Sequence, residues 1–131
     1  MRRVMLSLWH DNRGAAAVEF ALLAPAFLTM LIGTVMLAVM MFSNSALHFA
    51  VQSAARCASV KATVCTNAAT TRAFAASNYF GATVTPTFTC TGRVCGGTAA
   101  CGNKVSGQIS FGFEVGMARY ATPLRADACF P

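Results

Sequence analysis

Residues 15–42, AAAVEFALLAPAFLTMLIGTVMLAVMMF, form a 28-residue apolar run in which Glu19 is the only charge. As a helix this run rises about 42 Å at roughly 1.5 Å per residue, more than the roughly 30 Å of a bilayer's hydrocarbon core. The apolar stretch of an ordinary secretory signal covers only about 7 to 15 residues, so the run reads as a retained span and not as a discarded signal. Arg2, Arg3 and Arg13 flank it on the N-terminal side. By the positive-inside rule that flank puts the N-terminus in the cytoplasm and the rest of the chain outside.

Composition supports the same division. The chain has 131 residues, 56% hydrophobic and 11% charged, with a formal net charge of +6, whereas ordinary soluble domains carry about 25% charged residues. A cytosolic globular protein does not fit. Beyond the run, charge resumes only at Arg56, and residues 43–131 hold 20 large apolar residues among 89. So thin a core needs covalent help. All six cysteines, Cys57, Cys65, Cys90, Cys95, Cys101 and Cys129, lie in this region, and an even count in a small exported module points to disulfides. The cysteines therefore sit on the oxidising side that the basic flank assigns to them. Six cysteines permit fifteen pairings, and sequence does not choose among them. The working set is Cys57–Cys65, Cys90–Cys95 and Cys101–Cys129. Its first pair requires a helix to end between the two positions, because eight helical residues span about 12 Å and a bridge tolerates about 4.4 to 6.8 Å between Cα atoms.

The periodicity after Phe42 predicts an α+β headpiece. Ala46, Leu47, Ala50, Val51, Ala54, Ala55, Ala58 and Ala62 recur at helical spacing, so the helix continues beyond the span. Its Ala stripe is expected to pack on the protein's own sheet, with helices of neighbouring molecules as the alternative. A second helix is expected over Ala68–Phe80, stopped by Gly81. Alternation then predicts strands over residues 82–91, with Pro86 confining that strand to an edge, over Lys104–Val115, and from about Leu124 to Phe130. Three strands with one apolar face need a cover, and the Ala-rich helix is the long candidate.

Little in the headpiece suggests catalysis. It has one histidine, His48, and two acids, Glu114 and Asp127, which nothing in the sequence brings together. The cysteine spacings of 8, 25, 5, 6 and 28 contain no C-x2-C pair, and His10 and His48 lie outside the cluster, so zinc patterns are unmatched. No phosphate-cradling or dinucleotide-binding motif occurs, and no cofactor is expected. The basic residues are scattered singly, without the clustered stripe that nucleic-acid binding uses.

Glu19 is the anomaly. An acidic group at the centre of an inserted helix costs about 2.5 to 3.5 kcal/mol, and at the fifth position of the run the cost is smaller. Snorkelling to the headgroups or pairing with Arg13 would accommodate it. Its setting is Arg13-Gly14-Ala15-Ala16-Ala17-Val18-Glu19-Phe20: a basic leader ending in Gly, four small or apolar residues, then Glu and Phe opening a long apolar helix. This resembles the processing site of type IV prepilins and pseudopilins. The longer stretch RGAAAVEFALLAPAFLTMLIG, residues 13–33, resembles the TadE branch, minor pseudopilins of the tight-adherence (Tad) pilus. Weaker resemblance continues in VQSAARCA, residues 51–58, and in the final ACFP.

The resemblance implies cleavage between Gly14 and Ala15 by a prepilin peptidase, with Arg13, Gly14 and Ala15 forming the cleavage site. It divides the chain into a leader (1–14), a transmembrane helix (15–42) and an exported TadE-like headpiece (43–131). It further implies that Glu19, beside Phe20, meets the freed Ala15 amine of a neighbouring subunit and sets the axial register. A hydrogen-bonded charge pair is tolerated in hydrocarbon where two lone charges are not. Pro25 frees a backbone carbonyl, so a kink or local loosening is expected there. The implied partners are the prepilin peptidase, the major pilin and other pseudopilins, the inner-membrane assembly platform and the lipid bilayer. The implied location is the bacterial inner membrane, single-pass with the headpiece periplasmic, and the pilus itself. The competing reading is a membrane-anchored periplasmic binding module with no pilus role.

Overall fold

The computed structural model describes residues 14–61, 63–82, 84–115 and 118–131. Arg13 and the rest of the expected leader up to it lie outside these residues. Helix α1 covers Ala15–Val60, 46 residues with Pro25 inside it. The chain divides into two compact units, Met1–Leu37 and Ala38–Pro131.

In the first unit the described residues after Gly14 are all helical, as expected of a segment rich in Ala, Leu and Met. Its two threonines satisfy themselves locally: the Thr29 hydroxyl donates to the Ala26 carbonyl and the Thr34 hydroxyl to the Leu31 carbonyl, each at 2.8 Å. A segment in lipid needs its polar groups paired internally, and these are.

The second unit opens with the C-terminal part of α1, followed by α2 (Ala68–Ser77), β1 (Thr87–Gly92), β2 (Asn103–Val115) and β3 (Ala118–Phe130). The strands form an antiparallel meander in the order β1-β2-β3. Leu47, Ala50, Val51, Ala54 and Ala55 of α1 are buried with Phe88, Val105, Ile109, Leu124 and Ala126 of the sheet. The Ala stripe thus covers the protein's own sheet. Val39 and Met40, from the end of the apolar run, also pack partly buried against this core. Gly107 of β2 lies where the helix comes closest: a Cβ there would stand 2.8 Å from Val51 Cγ2 and 2.9 Å from Leu47 Cδ1. A strand glycine of this kind marks close approach of a neighbouring element.

Three disulfides brace the unit: Cys57–Cys65, Cys90–Cys95 and Cys101–Cys129, with Cα separations of 5.8, 5.6 and 6.0 Å. The first folds the chain back after α1 ends at Val60. The second closes the β1–β2 connection, and the third ties the approach to β2 to the end of β3.

Element ends differ from the sequence expectations for identifiable reasons. Helix α2 stops at Ser77, three residues early, because Asn78 caps it: its side-chain amide donates to the Phe74 carbonyl at 2.8 Å. Gly81 is not the helix stop and has no positive φ. The start of α2 is a capping box, with Asn67 Oδ1 accepting from the Ala69 and Thr70 amides at 2.9 and 3.0 Å and Thr70 Oγ1 accepting from the Asn67 amide at 3.0 Å. Strand β1 begins at Thr87, after Pro86, and β3 begins at Ala118, six residues before the expected Leu124. The added half of β3 pairs with β2 across Ser110↔Pro123 and Gly112↔Ala121. Pro123 is tolerated there because β3 is an edge strand.

Candidate assembly segment

Gly14 is exposed at the entry to α1, and a Cβ added to it would meet nothing within 4 Å. The Gly14–Ala15 peptide is therefore not walled in by described residues. Glu19 follows Ala15 by four residues, which places both on one helix face. Its carboxylate is exposed and pairs with no described residue; pairing with Arg13 would lie outside the described residues. Phe20 is 73% exposed, and Leu22, Met30 and their apolar neighbours are similarly bare. Pro25 lies within the helix without ending it.

An apolar surface this extensive marks a site of contact with lipid or protein. Among the described residues α1 is the one helix long and apolar enough to cross a membrane, and it is compatible with a single-pass membrane protein. A lone carboxylate on such a surface offers two oxygens as hydrogen-bond acceptors. Among the described residues no group of three or more His, Cys, Asp or Glu is arranged to hold a metal ion. His48, on the headpiece part of α1, is exposed.

Two polar junctions in the headpiece were not anticipated from the sequence. Ser43 is fully buried; its hydroxyl donates to the Val39 carbonyl at 2.8 Å and accepts from the Ala82 amide at 3.2 Å. Beside it, the Tyr79 hydroxyl is buried with no hydrogen bond of acceptable geometry among the described residues. Burial raises the Tyr79 pKa above the ordinary tyrosine value, and the Ser43 side chain opposes that shift only in part. The second junction is Asn103, 4% exposed, whose side chain bonds both Ser59 and the Val94 amide. Neither carries a sequence signature, since each joins positions far apart in the chain. An aromatic group was missed for the same reason: Phe80 contacts Phe42 and Phe49, all three partly exposed.

Two open clefts are present in the headpiece. One, of about 390 Å³, includes Arg56, Lys61 and Phe74; the other, of about 550 Å³, lies on the polar outer face of the sheet between Gln108, Arg125 and Asp127. Neither encloses a set of converging polar groups of the kind that defines a small-molecule site.

Comparison with known families gives one match: the TadE-like protein family model covers residues 14–56. The match begins at Gly14, includes Glu19, Phe20 and Pro25, and ends at Arg56 within the sheet-covering part of α1. It is consistent with a TadE-like protein of the Tad pilus system. That family consists of structural pilus components rather than enzymes, and it implies association with pilus components in general. No curated protein and no solved structure matches the chain.

Proposed function

With residues 14–56 matched to the TadE-like family, we propose that the chain is a minor pseudopilin, a non-enzymatic structural or assembly component of a Tad-type adhesive pilus. The carrying observation is that the match starts at Gly14, at the entry to an exposed apolar run, residues 15–42, whose single charge is Glu19. In this reading a prepilin peptidase removes residues 1–14, with Arg13 on the leader side of the cut. The freed Ala15 amine, when protonated, supplies a positive charge at the start of the helix. Glu19 of one subunit pairs with the amine of the next, with Phe20 packed beside it.

Charge neutralisation makes burial of both groups tolerable, and the need to pair fixes which axial offset between helices is allowed. The pair contributes specificity of register more than stability. Pro25 loosens the helix six residues beyond Glu19, where one helix must adjust to its neighbours. The chain is held in the inner membrane with its N-terminus cytoplasmic and its headpiece periplasmic until the assembly platform transfers it to the fibre, where it contacts the major pilin and other pseudopilins.

The test is complementation of a strain lacking this chain. Wild type restores piliation, whereas Glu19→Ala reaches the membrane in equal amount and fails to enter the fibre. Normal piliation without the chain, with no copies in purified pili, would instead favour a membrane-anchored binding module.

A further inference from the structure

Phe42 and Phe49 stand seven residues apart on α1, so they share a face and lie about 10 Å apart along the axis. Phe80, from the loop after α2, contacts both edge-on: its ring centroid is 5.8 Å from that of Phe42 and 5.5 Å from that of Phe49, each at 60°. Rings that pack together in a soluble fold are normally covered. These remain 52%, 49% and 56% exposed.

The turn presenting Phe80 is held from beneath. Its Ala82 amide donates to the buried Ser43 hydroxyl. The Tyr79 ring lies against Gly81, where any Cβ would collide with the phenol. The two segments that build the group are also free of charge: neither 38–55 nor 78–92 contains Asp, Glu, Lys or Arg, while the nine headpiece charges all lie outside them. On α1 the exposed polar side chains beside the two helix rings include Ser45, His48 and Gln52, a hydroxyl, an imidazole and an amide. Apolar rings interleaved with such groups suit the boundary between acyl chains and headgroups.

We propose that Phe42, Phe49 and Phe80 form an aromatic collar that sits in the lipid interface of the periplasmic leaflet and sets the depth of the chain in the bilayer. The proposal rests on the single-pass reading above and adds to it a lipid-binding site in the headpiece. Lipid is the favoured occupant because the collar continues directly from the exposed apolar run through Met41, which is itself 71% exposed. The helical count fits as well. Counted along the sequence, the roughly twenty residues that cross a hydrocarbon core run from Leu23 to Phe42, all uncharged.

Tryptophan fluorescence of the full chain in phosphatidylcholine–phosphatidylglycerol vesicles tests this. Trp9 is the single tryptophan, so Trp9→Phe provides a dark background into which Phe80→Trp is placed, with Leu31→Trp as a probe of the span. The collar predicts that Phe80→Trp emits to the blue of the unfolded chain, is shielded from aqueous iodide, and is quenched more by lipids brominated high on the acyl chain than by lipids brominated near its end. Leu31→Trp shows the reverse depth preference. Emission from Phe80→Trp that is red, iodide-quenched and indifferent to bromolipid places the ring in water and overturns the collar while leaving the span intact. Blue emission indifferent to bromolipid places the ring against protein and overturns it equally. If Leu31→Trp also escapes bromolipid, the single-pass reading fails with it. Phe49→Trp, read the same way, decides the matter should tryptophan at position 80 disturb the turn, with disulfide formation checked by non-reduced mobility.

Discussion

The Asn103 side-chain amide donates a hydrogen bond to Ser59 Oγ at 3.2 Å, joining the first residue of β2 to the last turn of α1 across 44 positions of sequence. Ser59 Oγ in turn donates to the Phe130 carbonyl at 3.1 Å, and Asn103 Oδ1 accepts from the Val94 amide at 3.1 Å. One buried side chain thus links the helix end, the Cys90–Cys95 loop and the C-terminal strand. Asn103→Ala leaves the Val94 amide and the Ser59 hydroxyl without these partners. The expected loss is about 1 to 3 kcal/mol of headpiece stability, read as a lower unfolding midpoint of the oxidised chain. An unchanged midpoint would mean that the junction contributes nothing net.

Gly107 sets the separation of helix and sheet. Gly107→Ala pushes against Val51, Leu47 and Phe88, all at 3.0 Å or less from the added carbon, and overpacking of this kind costs about 1 to 3 kcal/mol. Gly33→Ala meets nothing within 4 Å and should leave headpiece unfolding unchanged. The comparison is a pair of thermal or denaturant melts in the same detergent.

Tyr79 gives the headpiece an alkaline limit. Its folded pKa is raised by burial above the ordinary value of 10.0, so the unfolded chain loses this proton first as pH rises. The stabilisation is complete below about pH 10 and is lost as pH climbs toward the folded pKa. Tyr79→Phe should therefore flatten the decline in stability above that pH relative to wild type. The substitution should cost little at neutral pH, since the hydroxyl it removes makes no hydrogen bond among the described residues. Equal slopes for the two proteins above pH 10 would contradict this.

Burial ranks the disulfides by access. Cys57 and Cys65 are 3% and 0% exposed, whereas Cys101 is exposed and Cys129 half-buried. Thiol attack requires access to sulfur, so mild reductant should open Cys101–Cys129 before Cys57–Cys65, as read by timed alkylation and peptide mapping. Replacing the buried pair by serines should cost about 2 to 4 kcal/mol.

What the sequence made legible was whatever repeats locally. The Ala stripe from Ala46 to Ala58 and the alternation around Val105, Ile109 and Phe111 carry their periods openly, and both faces are buried as read. The N-terminal half of β3 was hidden because ARYATP does not alternate and Pro123 argues against a strand. Its pairing comes from the longer β2 beside it. Gly81 read as a helix stop, but its lack of a side chain makes room for the Tyr79 ring. The junctions at Ser43 and Asn103 and the contact of Phe80 with α1 depend on long-range neighbours that no short window contains. In the candidate assembly segment, by contrast, the stretch from Gly14 to Phe20 is contiguous, so the family resemblance it carries lies within one short window, and the family match covers it. The cysteines made a disulfide-braced headpiece evident, and the three bridges of the working set are those the structure forms, although spacing alone did not single them out among the fifteen pairings.

Under the proposed function, this helix reaches a fibre only after processing at its own N-terminus. The most direct test is the intact mass of the chain isolated from cells with an active prepilin peptidase. The expected mature protein begins at Ala15, and the uncut chain accumulates when the peptidase is inactivated. A chain that keeps residues 1–14 and is nevertheless found in pili would contradict this.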